Sequence, residues 1–132
     1  SRHIMAVNGN GMDEITICGK TKVCELKNNN ISTYCINPEE FGFELSSLGE
    51  ISGGMPEENA RIILNIINGE KSPRRGIVLL NAAAALLTSG AAKSYKDALE
   101  LAAYSIDSGN AIKKLNQLKK FTNENAQQNN RE

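Results

Sequence analysis

From Ile77 to Leu87 the chain is apolar at every position except Asn81. A helix with apolar side chains on all sides has no face to offer to water, so other elements must wrap it. Ser72-Pro73 supplies an N-cap followed by proline at the first helical position, and Gly90 supplies the stop. The alanines Ala82 to Ala85 let neighbours approach closely. This helix is therefore the expected centre of the packing. It falls short of the roughly eighteen apolar residues that a membrane span needs. Asn81 is the one polar group in the run, and a buried amide finds partners, so it reads as a hydrogen-bonded core amide or a bridge to another element.

The elements around this helix change period along the chain. Ile4 to Asn8 reads as a short buried strand, with the character of an interior parallel one. Thr21 to Lys27 and Ile31 to Ile36 alternate, and Asn28-Asn29-Asn30 between them is a turn signal, so the two runs predict an antiparallel hairpin. Asn37 to Gly42 predicts one helical turn with Pro38 at its start. Leu45 to Pro56, carrying Gly49, Gly53 and Gly54, reads as irregular connection. After Glu57, Ala60, Ile63, Leu64 and Ile67 share a helical face; a later helix buries Tyr95, Leu99, Ala102 and Ile106 behind a Ser94 cap. Ala111, Leu115 and Leu118 mark the last helix, with Lys113, Lys114, Lys119 and Lys120 outside. The expected fold class is α/β, a few strands including a hairpin followed by about four helices. Residues 122–132 are polar and rich in Asn and Gln, the composition of a disordered tail beyond a 1–121 domain.

With 132 residues the chain is about one domain long, and its 15 basic and 15 acidic residues give no field that would draw it to nucleic acid or an anionic membrane. Cys18, Cys24 and Cys35 are an odd number without Cys-x-x-Cys spacing, which points to reduced, buried thiols and a reducing compartment. With no span and no secretory signal visible, a cytoplasmic location is expected. Ser1-Arg2-His3 runs almost directly into a strand, an opening expected of a piece of a longer chain.

The chemistry is expected at Asn8-Gly9-Asn10-Gly11-Met12-Asp13-Glu14-Ile15. Adjacent side chains point apart in a strand but can converge in a turn, which Gly9 and Gly11 permit. Asp13 and Glu14 side by side after a strand suit a hard cation such as Mg2+, which takes oxygen ligands and keeps water or substrate phosphates for the rest of its shell. His3, the sole histidine, reads as a structural residue at the start of a strand. Gly19-Lys20-Thr21 imitates the end of a phosphate-binding loop, but the required earlier glycine is Glu14 and no helix signal follows.

In order, "VNGNGMDEIT", "GKTKVCEL", "PEEFGF", "GGMPEENARIILNIINGE" and "RGIVLLNAAAALLTSGAAKSYKDALELAAYSIDSGNA" resemble the C-terminal portion of the anthranilate phosphoribosyltransferase family, over nearly the whole chain to Phe121. The resemblance implies the later part of a larger α/β domain related to the pyrimidine-nucleoside phosphorylases. It implies that Asp13 and Glu14 bind Mg2+ together with phosphoribosyl diphosphate, whose phosphoribosyl group passes to the amine of anthranilate. It also implies a homodimer when complete. The family's glycine-rich donor loop, its anthranilate-holding residues and its dimer helices have no counterpart here, so the chain alone is expected to be inactive, and an intertwined oligomer of the piece is a further expectation. Asn8 stands where many relatives have His, and Lys20 where many have Pro. Two other readings compete: a nucleic-acid-binding relative without the chemistry, supported only by the Lys113 to Lys120 cluster, and a pyrimidine-nucleoside phosphorylase relative.

Overall fold

The structure, a computed structural model, describes residues 3–129, with side chains to residue 124. Three strands, β1 (His3–Asn8), β2 (Thr21–Lys27) and β3 (Asn30–Ile36), form one antiparallel sheet in the order β1-β2-β3. The predicted β2–β3 hairpin is present, with Asn28 and Asn29 both at positive φ (51° and 65°) in its turn. That is the backbone a two-residue hairpin loop needs, and Asn tolerates it.

β1 corrects an expectation. It is neither parallel nor interior but pairs antiparallel with β2, from His3 opposite Lys27 to Asn8 opposite Lys22. The physical reason is the connection. A parallel neighbour needs a crossover of a dozen or more residues, usually helical. Here residues 9–20 between the two strands hold no helix, and the chain reverses early, with Gly9 and Met12 forming an isolated antiparallel bridge around Asn10 and Gly11. β1 is also half-buried, alternating along its length, because only one face of the sheet is covered.

Five helices follow: α1 (Leu48–Ile51), α2 (Pro56–Ile67), α3 (Pro73–Ser89), α4 (Tyr95–Asp107) and α5 (Asn110–Asn129), with a 3-10 turn at Pro38–Phe41 before them. The apolar helix is α3, and it sits between two layers. On the sheet side, Ile77 and Leu80 pack with Ile15, Ile17, Val23 and Ile36. Towards the other helices, Leu79 packs with Ile66, Ala102 and Ile106. Tyr95 hydroxyl donates to the Leu80 carbonyl at 2.5 Å, and its ring meets Phe41, joining α4 and the 3-10 turn to the core. Burial pushes the Tyr95 phenol far above its ordinary pKa, so it stays a donor.

Cover is not complete. Val78 on α3 is 40% exposed, and an apolar groove of about 600 Å³ runs past Ile67, Val78, Leu86 and Leu101. α2 is turned from its expected face: Ile66 is buried while Ile63 is 51% exposed, because the Ile62–Ile66 side meets α3 and α4. The stretch expected to be irregular holds α1, started by a Ser47-x-x-Glu50 capping box. The expected boundary at Phe121 is not marked by a break. α5 continues to Asn129, with the Thr122 hydroxyl donating to the Leu118 carbonyl at 3.0 Å, and residues 130–132 of the expected tail lie outside the described residues. Cys24 and Cys35 are exposed and Cys18 half-buried, all free, so the expected burial of the thiols does not hold; Cys24 and Cys35 fall on the uncovered sheet face.

Candidate functional site

The acidic loop is built from its turn outwards. Asn10 (φ 55°) and Gly11 (φ 92°) are consecutive positive-φ residues, and Gly9 and Met12 exchange backbone hydrogen bonds across them at 2.9 and 3.2 Å. This is a two-residue reversal of the Asn-Gly kind. Asn8 closes it, its side-chain oxygen accepting from Gly11 N–H at 3.2 Å. The departure at Asn8 thus has a local use.

Gly9 matters for a different reason. A Cβ there would collide with the carbonyl oxygen of Glu14 and lie 2.9 Å from Thr16 Cγ2. The turn is pressed directly against the backbone beyond the acids. From the other side, Asn81 reaches out of α3: its Oδ1 accepts from Ile15 N–H at 3.0 Å and its Nδ2 donates to the Ile15 carbonyl at 2.7 Å. The same Nδ2 donates to the Ile77 carbonyl at 2.9 Å. Asn81 is therefore the hydrogen-bonded bridge expected of a lone amide in an apolar run. One residue on, Thr16 N–H donates to Thr21 Oγ1 at 3.1 Å, and both threonines are fully buried. Thr21 is thus a structural acceptor, which removes the phosphate-loop imitation at Gly19-Lys20-Thr21.

The backbone of this segment is held, yet its carboxylates are not. Asp13 and Glu14 are both exposed, and among the described residues neither makes a hydrogen bond or ion pair. Glu14 lines a cavity of about 270 Å³ with Gly53, Asn59, Arg74 and Ile77; Asp13 is not on its wall. The rim of that cavity is ordered by two contacts absent from the sequence reading. Asn59 exchanges hydrogen bonds with Gly54, at 2.8 Å from its N–H and 3.0 Å to its carbonyl. Arg74 donates from Nη2 to the Ser52 carbonyl at 2.8 Å, while its buried Nε has no partner among the described residues. The signal for Asn59 was its place five residues after a glycine pair; nothing local marked Arg74.

No cluster of three or more His, Cys, Asp or Glu side chains able to hold a metal occurs among the described residues. Two partnerless carboxylates nonetheless suit an ion whose remaining ligands are water and a phosphorylated substrate. His3 lies apart, its Nε2 2.6 Å from Glu25 Oε1 across the sheet, a structural pairing in line with its reading.

Residues 1–112 match the family model described as the glycosyl transferase family, a/b domain. The chain belongs to that family. Among curated relatives it is 48% identical over 124 residues to the anthranilate phosphoribosyltransferase of Methanosarcina mazei, covering 94% of this chain and 34% of that one. To the enzyme of the same name from Acetivibrio thermocellus it is 48% identical, covering 90% and 35%. Among solved structures, anthranilate phosphoribosyltransferase (TrpD) from Thermus thermophilus superposes with a TM-score of 0.79 at 33% identity, over 87% of this chain and 34% of that one. The Saccharomyces cerevisiae enzyme in complex with PRPP and Mg superposes with a TM-score of 0.74 at 29% identity, over 86% and 33%. The chain spans about a third of the length of the relatives it matches. This member of the glycosyl transferase a/b family has the α/β fold expected from its sequence.

Proposed function

We propose that this chain is the later part of the α/β domain of an anthranilate phosphoribosyltransferase, and that Asp13 and Glu14 hold Mg2+ for the complete enzyme. The reaction is transfer of the phosphoribosyl group of phosphoribosyl diphosphate to the amine of anthranilate, with pyrophosphate leaving, in tryptophan biosynthesis. The observation that carries the reading is two exposed, partnerless carboxylates on a segment whose backbone is fixed at Gly9, Ile15 and Thr16. Free oxygens on a fixed frame are what a preorganised ligand pair requires, because no existing bond has to break and little backbone entropy is lost when the ion arrives.

Bound there, Mg2+ would supply Lewis-acid and template chemistry, neutralising charge on the departing diphosphate. The chain's own part is to present anionic oxygen ligands on the diphosphate side and to keep their backbone from following the ligand. Donor-loop and anthranilate contacts lie outside this chain, so the piece alone should not turn over, and a cytoplasmic homodimer is the form proposed for the complete enzyme.

The test uses the full-length protein. Asp13→Asn and Glu14→Gln should each lower kcat/KM for the donor by about a hundredfold or more, several kcal/mol of lost charge stabilisation, and raise the Mg2+ requirement, with KM for anthranilate changed far less. Unchanged donor and Mg2+ dependence in both variants would remove the proposal.

A further inference from the structure

We infer that Asn81 is a positioning residue for the acidic pair, acting through a single peptide group; the inference rests on the reading of Asp13 and Glu14 as metal ligands. The Ile15 N–H that Asn81 Oδ1 accepts belongs to the same peptide plane as the Glu14 carbonyl. The opposite edge of that plane, the Glu14 oxygen, lies against Gly9, where no Cβ would fit. One peptide is thus gripped on its N–H edge by α3 and buttressed on its C=O edge by the turn. That plane is one of the two planes that define ψ of Glu14, so holding it narrows the directions in which the Glu14 side chain can leave the backbone.

The grip itself has little slack. Asn81 sits on α3 among Ile77 and Leu80, which are 9% and 0% exposed, and its Nδ2 is shared between the Ile15 and Ile77 carbonyls at 2.7 and 2.9 Å. Ile15, 1% exposed, anchors the loop in the same core. Only an amide satisfies this set, since one acceptor and two donor hydrogens are used. Aspartate would keep the bond from Ile15 N–H but turn an acceptor towards two carbonyls. Leucine would leave the Ile15 N–H and carbonyl without partners in a buried place. The loop would then be free to choose another peptide orientation, and the two carboxylates would lose their common frame.

The experiment measures binding without turnover in the full-length protein: Mn2+ alone, read from the electron paramagnetic resonance of free Mn2+. Asn81→Asp and Asn81→Leu are compared with wild type, with Glu14→Gln, and with Arg75→Leu, a change in α3 that touches no part of the loop. The expected result is a ~10–100-fold loss of Mn2+ affinity in both Asn81 variants, the size associated with residues that orient metal ligands, against less than twofold in Arg75→Leu. In steady-state assays the same Asn81 variants should raise KM for the donor and leave KM for anthranilate within twofold. If Asn81→Leu fails to fold, Asn81→Asp, nearly isosteric, carries the comparison. Wild-type Mn2+ affinity in a folded Asn81→Asp, with Glu14→Gln impaired, overturns this inference and leaves the metal reading standing. Wild-type affinity in Glu14→Gln overturns both.

Discussion

Two polar side chains leave the same apolar helix six positions apart and do opposite things to the acids they serve. Arg75, with a side chain only 5% exposed, donates from Nη2 to both oxygens of Asp107 at 2.9 Å and ties α3 to the end of α4. Asn81 ties α3 to the acidic loop but touches only its backbone. The Arg75 bridge consumes the carboxylate it meets. The Asn81 bridge fixes a segment and leaves the neighbouring carboxylates free. A charged side chain suits the first task because a paired charge holds packed layers together. A neutral amide suits the second because it adds no charge to compete for the acids.

The largest effect separates the two on stability. Asp107→Ala leaves the buried Arg75 guanidinium without the carboxylate that pairs it, so it should destabilise by about 3–5 kcal/mol. Arg75→Leu should cost less, about 1–3 kcal/mol, since Asp107 is 45% exposed and keeps Lys71 at 3.5 Å. Urea unfolding of the full-length protein reads both. Neither should change Mn2+ affinity more than twofold, and a large change in either would erase the contrast between the two bridges.

Next in size is Gly9→Ala, which attacks the loop from the side away from Asn81. The collision partner is backbone, the Glu14 carbonyl, and cannot swing aside as a flexible side chain would. Forcing it should cost about 1–3 kcal/mol, as other overpacked sites do. It should also reproduce the loss of Mn2+ affinity expected of the Asn81 variants, to roughly tenfold. A stability loss with unaltered affinity would show that the peptide orientation set by Gly9 and Asn81 does not govern the carboxylates.

Much of this arrangement is legible in the residues and some is not, for identifiable reasons. The β2–β3 hairpin, the proline starts, the Gly90 stop and the α4 stripe rest on local chemistry, and local chemistry is written in the sequence. That Asn81 needs partners follows from its place in an apolar run. That the partner is Ile15, 66 residues away, does not, because a backbone acceptor carries no residue-specific mark. The antiparallel placement of β1 is hidden for a different reason: Asn10-Gly11 reads first as part of an acidic, ligand-bearing loop, although the dipeptide is also a strong turn signal. The acids themselves are visible as a pair. Their freedom from partners can be seen only once the fold shows that, among the described residues, no basic side chain pairs with them. Exposure of Ile63 and Val78 is not foreseeable either, since periodicity names an apolar face but not what covers it.

The smallest effect tests whether an exposed acid is free by default. Glu50 is such an acid, yet its Oε2 accepts from Ser47 N–H, Ser47 hydroxyl and Ser46 hydroxyl, each at 2.8 Å. The Ser47 backbone bond, then the two hydroxyls, hold its carboxyl below the usual 4.5. A group whose folded pKa is depressed adds stability that is present above its unfolded value and lost as pH falls through the folded one. The turn before α1 should therefore hold at neutral pH and loosen as pH falls through the lowered Glu50 pKa, with the Ser47 amide losing hydrogen-exchange protection over that acid window. Glu50→Gln should abolish this pH dependence, because a neutral amide oxygen accepts the same bonds at every pH. The carboxyl shift of Glu50 in NMR should titrate below 4.5. A midpoint not lowered from the usual 4.5 would mean that exposure alone frees a carboxylate, and the partnerless state of Asp13 and Glu14 would then cease to distinguish them.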